Sequence, residues 1–438
     1  MRQILQDKMK RSIAFFAAFA AAVIIATSAA GSYLDVLKAD RYNASGNYHP
    51  YPVPEYYDTR APKGYKPFYV SHYGRHGSRY LIGASRYTHS YEMMDKLHEA
   101  GLLTDEGEAL RLDLTAMREA HAGQDGILTQ VGSREHQGIS SRLYKRVKGV
   151  FRQKDRRNVL VVSTPVHRVL QSAFNFTGVL KGNEPELQFA LYSGDRYGNY
   201  LARPVPDSIK DPLDEICNAV FESMRNEMLS TPETGRTIFN DRAKVEQMLG
   251  DESLARFMYL LLEESSIAKC LDIEVDPFSH FTDDEVMAFG KIYNAIAMYW
   301  FHRSQESGDV NNTVAGVPLL TDFVLKADEA LMDGSTKCAD LRFGHDSGIG
   351  PLLGTIRVEG YDTTPALEDA WKEWPAYEYI PMGSNLQMIF YKNRKGDVLV
   401  KMLRNEKETV IPSLPPFYGP YYKWEDLRAY FAEICGLD

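Results

Sequence analysis

Lys66-Pro-Phe-Tyr-Val-Ser-His-Tyr-Gly-Arg-His-Gly-Ser-Arg79 is the stretch that decides the fold of this 438-residue chain. Its first part, up to His72, is a short apolar run of the kind that forms a buried β-strand. Its second part places a glycine on each side of Arg75-His76, where the backbone can approach another group closely. The stretch therefore predicts a strand that ends in a loop carrying polar, chemically active side chains.

Two later segments have the same design. Asn158–Ser163 is an apolar run, broken by Thr164-Pro165 and followed by a helical pattern that contains Arg168. Asp340–Phe343 is strand-like and is followed by Gly-His-Asp-Ser-Gly at 344–348. In a parallel sheet the carboxyl ends of neighbouring strands lie at one edge, and ligands bind beyond that edge. We therefore expect the three segments to meet there.

The remaining pattern predicts an α/β protein. Strands alternate with helical segments, which favours a three-layer α/β sandwich with a mixed, mainly parallel sheet. Asn385–Tyr391 and Val398–Asn405 predict two strands joined by a hairpin at Asn393-Arg-Lys-Gly396. We expect residues 31–184 and 336–438 to form this core.

Two regions depart from the core pattern. Residues 185–335 are helical and acidic, which predicts a helical cap domain inserted into the core. Residues 32–65 are rich in tyrosine, proline and asparagine and have no period, which predicts an irregular arm on the surface.

The side chains gathered at the sheet edge suit a phosphoryl group. Guanidinium groups are planar, always charged and able to fork onto two phosphate oxygens, and helix N-termini add partial positive charge. The candidate residues are three arginines, two histidines and one acid: Arg75, Arg79, Arg168, His76, His345 and Asp346.

Other chemistries fit the sequence less well. His72 and His76 are four residues apart, but along a strand that separation is about 13 Å, too far to share a metal ion. No Gly-x-Ser-x-Gly elbow, Walker loop or Gly-x-Gly-x-x-Gly is present. The net charge of −9 argues against a nucleic-acid partner and requires a local basic cluster for any anionic substrate.

These segments resemble the histidine acid phosphatase family, branch 2 of the histidine phosphatase superfamily, which includes phytases and multiple inositol polyphosphate phosphatases. The family's Arg-His-Gly-x-Arg-x-Pro block matches Arg75–Arg79, with Leu81 in place of the proline. The mid-chain strand, arginine and helix block matches Val161–Gly178, and the His-Asp motif matches His345-Asp346. The surroundings of His345 look closest to the inositol polyphosphate branch, which usually has His-Ala-Glu at this point.

The resemblance implies a two-step hydrolysis of phosphomonoesters with no metal and no cofactor. His76 would attack phosphorus, and Asp346 would protonate the leaving oxygen. The phosphoryl oxygens would be bound by Arg75, Arg79, Arg168 and His345.

The substrate class stays open on sequence. Inositol polyphosphates such as phytate fit the resemblance, and Lys and Arg residues between 134 and 157, including Lys145 and Arg146, could bind their extra phosphates. That run could equally be a solvated helix face. The alternatives are a general acid phosphatase on sugar phosphates or nucleotides, a phosphotransferase or mutase, and a catalytically silent phosphate-binding protein.

The first 30 residues predict an export signal. Lys8, Lys10 and Arg11 precede the apolar run Ser12–Thr27, and Ser28-Ala29-Ala30 has the small residues of a cleavage site. An uncleaved membrane anchor is the alternative, since the run approaches the ~20 residues that a span needs. We expect cleavage, a periplasmic or extracellular location, and no membrane contact afterwards.

Four cysteines follow the predicted signal. In an oxidising compartment an even number suggests disulfides, and Cys217–Cys270 with Cys338–Cys435 would keep each bridge within one region. Free buried thiols are the alternative.

Overall fold

The computed structural model describes residues 33–55, 57–83, 85–202 and 204–438. The predicted export signal lies outside these ranges. Within them, none of the helices combines the length and the apolar character needed to cross a bilayer.

A single mixed sheet organises the core. Its strands are β1 (Lys66–Arg75), β2 (Asn158–Ser163), β3 (Gln188–Ser193), β4 (Lys337–Gly344), β5 (Asn385–Lys392), β6 (Val398–Arg404), β7 (Lys407–Thr409) and β8 (Tyr421–Lys423). The order across the sheet is β3-β2-β4-β1-β5-β6-β7, with β8 also paired to β6. The first four strands in this order are parallel, and the others are antiparallel. The predicted hairpin is the β5–β6 pair.

Helices cover both faces and form a separate region beside the sheet. They are α1 (Tyr33–Ala39), α2 (Ser85–Glu99), α3 (Asp105–His121), α4 (Gln130–Phe151), α5 (His167–Asn183), α6 (Asp195–Leu201), α7 (Asp207–Met228), α8 (Arg242–Leu249), α9 (Leu254–Ser265), α10 (Asp283–Phe301), α11 (Val317–Leu331), α12 (Asp346–Ile356), α13 (Ala370–Glu373), α14 (Ala376–Tyr379) and α15 (Trp424–Cys435). Short 3₁₀ or π turns occur at Arg41–Tyr48, Ala268–Cys270, Pro277–His280, Asn312–Gly316 and Leu367–Asp369.

The three layers follow from the alternation of side chains along the strands. Val70 on β1 packs into a cluster with residues of α4 and α5, whereas its neighbour Tyr69 packs into the larger cluster with α11, α12 and α15. Successive strand residues point to opposite faces, so a buried strand supplies both cores. The predicted three-layer α/β fold with a helical region is confirmed.

Two regions contain more regular structure than the sequence indicates. Residues 33–48 form α1 and the 3₁₀ helix Arg41–Tyr48, not an irregular arm. Strand β3 falls within the range 185–335 but pairs with β2 as a sheet edge. Its side chains are mostly exposed, so it lacks the apolar run by which a buried strand is recognised. The division into core and cap at 184 and 336 stays a prediction.

The predicted disulfides are wrong, because all four cysteines are free thiols. Cys338 belongs to the cluster under α4 and α5, whereas Cys435 packs against the cluster on the other face of the sheet. The Cys270 thiol donates to the carbonyl of Tyr48 at 3.0 Å. The predicted pairing rested only on distance along the sequence. In the fold, the sheet lies between Cys338 and Cys435, which form one of the two predicted pairs.

Candidate active site

The carboxyl ends of β2, β4 and β1 lie side by side. Ser163 is in register with Phe343, and Arg75 is in register with Gly344. The loop after β1, the first turn of α5 and the start of α12 therefore meet at one edge. All six candidate residues are brought to this edge: Arg75, His76, Arg79, Arg168, His345 and Asp346.

His76 is buried, and its ring geometry fixes which nitrogen is free. Nδ1 lies 2.9 Å from the carbonyl oxygen of Gly77, which can only accept, so Nδ1 carries the proton. Nε2 is left with an unshared pair. Burial, followed by the charges of Arg168 and Arg75, holds the pKa of His76 well below its ordinary value. The imidazole is therefore neutral and nucleophilic.

Arg75 has the most contacts of the three arginines. It is fully buried, and its Nη1 donates to the carbonyls of Asn47 at 2.6 Å and Ile380 at 2.8 Å. Its Nη2 lies 2.7 Å from Oδ2 of Asp346. These contacts hold the guanidinium in place and pair it with the carboxylate of Asp346.

Arg79 and Arg168 complete a strongly positive site. The guanidinium of Arg79 lies over the ring of Tyr48, 5.2 Å from its centre. Burial and the nearby Arg79 lower the pKa of Arg168 to about 10, which still leaves it charged at neutral pH. Among the described residues, Asp346 is the carboxylate that pairs with this group, and it pairs with Arg75 alone. The excess positive charge suits a phosphate dianion.

His345 and Asp346 begin α12. The His345 Nε2 lies 3.1 Å from the hydroxyl of Thr164, and its backbone N–H donates to the hydroxyl of Tyr73 at 3.0 Å. Removal from water and the charge of Arg168 lower the pKa of His345 to about 4. Its ring lies 5.6 Å from that of His76, centre to centre.

Asp346 is ionised in the unliganded protein. Burial raises its pKa, but Arg75, His345 and Arg79 outweigh burial and hold the pKa below its ordinary value. A bound phosphate anion would offset the charges of Arg75 and Arg79 and favour the protonated form of Asp346.

Glu135 holds the loop that carries His76. Its two oxygens accept from the Ser78 hydroxyl and backbone N–H, both at 2.7 Å, and from the N–H of Tyr51 at 2.8 Å. A side chain at Gly77 would place its Cβ 2.6 Å from the carbonyl of Gly132, so only glycine lets this loop pack on α4.

A cleft of about 340 Å³ opens over Asp346 and Arg79. One wall is the sheet edge with the 3₁₀ helix, and the other is formed by α9 and α10. Its lining residues are Asn47, Tyr48, Arg79, Arg256, Tyr259, Glu263, Tyr293, Ile296, Ala297, Trp300, Phe301 and Asp346.

The basic run on α4 lies away from this cleft. Arg142 pairs with Glu406 at 2.7 Å, and Arg146 pairs with Asp58 at 2.8 Å. Neither Lys145 nor Arg146 lines the cleft. Arg142 and Arg146 therefore hold the helix against the rest of the core, whereas Lys145 and Lys148 are exposed on the helix face, and the interpretation as an extra phosphate site loses its support.

The family model of the histidine phosphatase superfamily, branch 2, matches residues 74–405. The chain belongs to this superfamily. No curated protein matches the sequence.

Solved structures share the fold at low sequence identity. A Bifidobacterium longum multiple inositol polyphosphate phosphatase, in complex with inositol hexasulfate, has a TM-score of 0.72 and 20% identity, covering 90% of this chain and 98% of that one. A D. castellii phytase has a TM-score of 0.67 and 14% identity, covering 92% and 89%. A Hafnia alvei phytase has a TM-score of 0.53 and 12% identity, covering 86% and 98%.

Sequence reasoning missed the supporting residues. Asn47 and Tyr48 lie in the 3₁₀ helix Arg41–Tyr48, which the sequence predicts as part of an irregular arm. Thr164 and Tyr73 form hydrogen bonds with His345. Glu135 was visible only as a carboxylate in a helix. No local pattern marks these residues, because each acts through a contact between segments distant in the sequence.

His72 is not part of a metal site. Its ring packs against Phe176 and Phe343, at 5.0 and 5.4 Å between centres, and neither nitrogen has a hydrogen-bond partner. Over the described part of the chain, no group of three or more His, Cys, Asp or Glu side chains is arranged to hold a metal ion.

Replacing His72 by leucine should make stability less sensitive to acid. Burial lowers the pKa of His72 to about 3, so between about pH 6.5 and pH 4 the unfolded chain binds a proton there and the folded chain does not. Stability therefore falls as pH falls. In the His72→Leu variant, the free energy of unfolding should depend less steeply on pH, by up to about 1.4 kcal/mol per pH unit. Urea unfolding at a series of pH values measures this slope.

The matched control is His167→Leu, because the His167 side chain is exposed. It should leave the slope as in the parent. An unchanged slope in His72→Leu would mean that this ring is protonated equally in both states.

Proposed function

We propose that this enzyme hydrolyses inositol phosphates through a phosphohistidine on Nε2 of His76. The observation that carries the proposal is a neutral histidine, with a free Nε2, beside three arginines that have one carboxylate partner among the described residues. The superfamily membership and the fold shared with phytases and an inositol polyphosphate phosphatase support it.

In the first step, Nε2 of His76 attacks phosphorus in line. The nitrogen–phosphorus bond forms as the phosphorus–oxygen bond to the alcohol breaks. Arg75, Arg79 and Arg168 stabilise the charge on the phosphoryl oxygens, which is the role a metal ion has elsewhere. Asp346, protonated in the anionic complex, gives its proton to the departing oxygen.

In the second step, water attacks the phosphohistidine. Asp346 is now a carboxylate and can accept the proton of that water. Phosphate leaves, and His76 is neutral again. The cycle consumes one water, releases one alcohol and one phosphate, and restores every protein group.

Replacing His76 by alanine should abolish turnover while the fold persists. Phosphate release from nitrophenyl phosphate and from an inositol polyphosphate measures the effect, with circular dichroism as the fold control. Activity within about tenfold of the parent would contradict the assignment, because that is a barrier change of only ~1.4 kcal/mol. A parent protein that binds phosphate esters but releases no phosphate would show a silent binding protein.

Arg256 is the residue we propose for binding a second phosphate of the substrate. It lies with Tyr259 and Glu263 on one face of α9, and this face lines the cleft. Arg256 is exposed, and no described residue pairs with its side chain. A guanidinium placed beyond the phosphoryl site can bind an anionic group on the leaving alcohol.

Arg256→Ala should raise KM for an inositol polyphosphate by about tenfold or more, which is the size of one lost hydrogen bond to a charged group. KM for nitrophenyl phosphate should change less than twofold. The control is Arg236→Ala, on an exposed arginine paired with Glu233 outside the cleft. Equal effects of Arg256→Ala on both substrates would favour a general acid phosphatase.

We also propose that the enzyme is exported after cleavage near Ala30. The support is the basic and apolar pattern of the first 30 residues. The mass of the mature protein tests this, and retention of residues 1–30 would contradict it.

A further inference from the structure

The 3₁₀ helix Arg41–Tyr48 is bound firmly over the active site. The Tyr42 hydroxyl donates to Asp276 at 3.0 Å, and Nη2 of Arg41 donates to the carbonyl of Phe281 at 2.8 Å. The ring of Tyr48 packs on that of Tyr293, 5.3 Å between centres. This segment is therefore a fixed wall of the cleft.

Gly46 allows the segment to reach the site. Its φ is +53°, a left-handed conformation, and a Cβ there would lie 2.6 Å from the ring of Tyr293. Any other residue would be strained and would clash with α10. The next residue, Asn47, is thereby placed beside the ion pair of Arg75 and Asp346.

Asn47 contacts both partners of the central ion pair. Its carbonyl accepts from Nη1 of Arg75 at 2.6 Å, and its side-chain Nδ2 donates to Oδ2 of Asp346 at 3.0 Å. It is 4% exposed and lines the cleft. The family match begins at residue 74, so it does not include Asn47.

The two oxygens of Asp346 are left unequal by these contacts. Oδ2 is approached by Asn47 Nδ2 and by Arg75 Nη2, at 3.0 and 2.7 Å. Among the described residues, Oδ1 accepts only from the backbone N–H of Ser347, at 2.9 Å. A carboxylate oxygen offers two lone pairs, so Oδ1 retains one for a proton.

We propose that Asn47 is a positioning residue for the general acid, which confines the transferred proton to Oδ1 of Asp346 and sets the pH at which that proton is lost. The proposal rests on the proposed function, in which Asp346 protonates the leaving alcohol. Nδ2 of Asn47 occupies Oδ2, so the proton is presented from the remaining oxygen.

The pH dependence follows from the groups that face Asp346. A hydrogen bond to a carboxylate favours its charged form, so the bond from Asn47 lowers the pKa of Asp346. Removing this bond leaves the ionisable neighbours in place and raises that pKa. These neighbours are Arg75 at the end of β1, Arg79 in the following loop, Tyr73 on β1, Arg168 on α5 and the adjacent His345.

The test is the pH profile of kcat for Asn47→Ala, measured with two substrates on the full chain. A sugar or inositol phosphate needs a proton on its leaving oxygen, whereas nitrophenolate leaves unaided. For the alkyl phosphate, the alkaline limb of kcat should move up by about one pH unit, because the acid keeps its proton to higher pH. For nitrophenyl phosphate the limb should stay where it is.

A second variant, Asn47→Asp, keeps the size of the side chain and guards against loss of folding in Asn47→Ala. It places a carboxylate against Oδ2, and two carboxylates at one site cannot both ionise easily. Its limb with the alkyl phosphate should move further up than that of Asn47→Ala. The control is Asn43→Ala on the same 3₁₀ helix, where the Asn43 amide donates to the carbonyl of Val36 on α1, at 3.2 Å.

The outcomes separate this inference from the function on which it rests. In Asp346→Asn the alkaline limb for the alkyl phosphate should disappear, and its persistence would mean that Asp346 is not the acid. If that limb disappears but neither Asn47 variant moves it, the inference about Asn47 is wrong. If the Asn47 variants lose kcat equally on both substrates and the alkaline limbs do not move, Asn47 has a purely structural role. That result would also overturn the inference about Asn47.

Discussion

The buried guanidinium of Arg75 is the interaction on which the rest of the site depends. It ends β1, binds the carbonyls of Asn47 and Ile380, and pairs with Asp346 at the start of α12. Four segments far apart in the sequence are therefore joined at one fully buried group. Arg75 is fully buried, whereas the Asp346 side chain is 19% exposed. Removing either partner would leave a charge without compensation, so this contact positions both the end of β1 and Asp346.

The same charge determines the chemistry. Burial, followed by the charges of the surrounding arginines, keeps the imidazole of His76 neutral, which a nucleophile requires. The arginines outweigh burial at Asp346 and keep it ionised until an anion arrives. A bound phosphate dianion offsets the arginine charges and allows Asp346 to hold a proton, whereas burial keeps His76 neutral. The site is thus prepared for the charge of its substrate.

The sequence predicted the catalytic edge because its segments follow strands that are easy to recognise. The runs Lys66–His72, Asn158–Ser163 and Asp340–Phe343 identify buried strands, and parallel pairing then brings their ends together. The resemblance to the superfamily assigned the same residues.

The rest of the structure depends on contacts that leave no local pattern. The 3₁₀ helix that supplies Asn47 has no amphipathic period and depends on Gly46, and β3 is exposed on both faces. The basic residues of α4 are alike in sequence, but Arg142 and Arg146 pair with distant carboxylates outside the cleft. Cysteine spacing predicted bridges, whereas the sheet places Cys338 and Cys435 on opposite faces.

Trapping the covalent intermediate tests the central claim most directly. The enzyme would be mixed with phosphorus-labelled aryl phosphate, quenched in alkali within the first turnover so that a nitrogen–phosphorus bond survives, and mapped by peptide mass spectrometry. We expect the labelled phosphoryl group on the peptide that contains His76, attached to the imidazole and lost at a rate that matches turnover. Label on another residue, or a first turnover completed with no phosphoenzyme at any time, would contradict it.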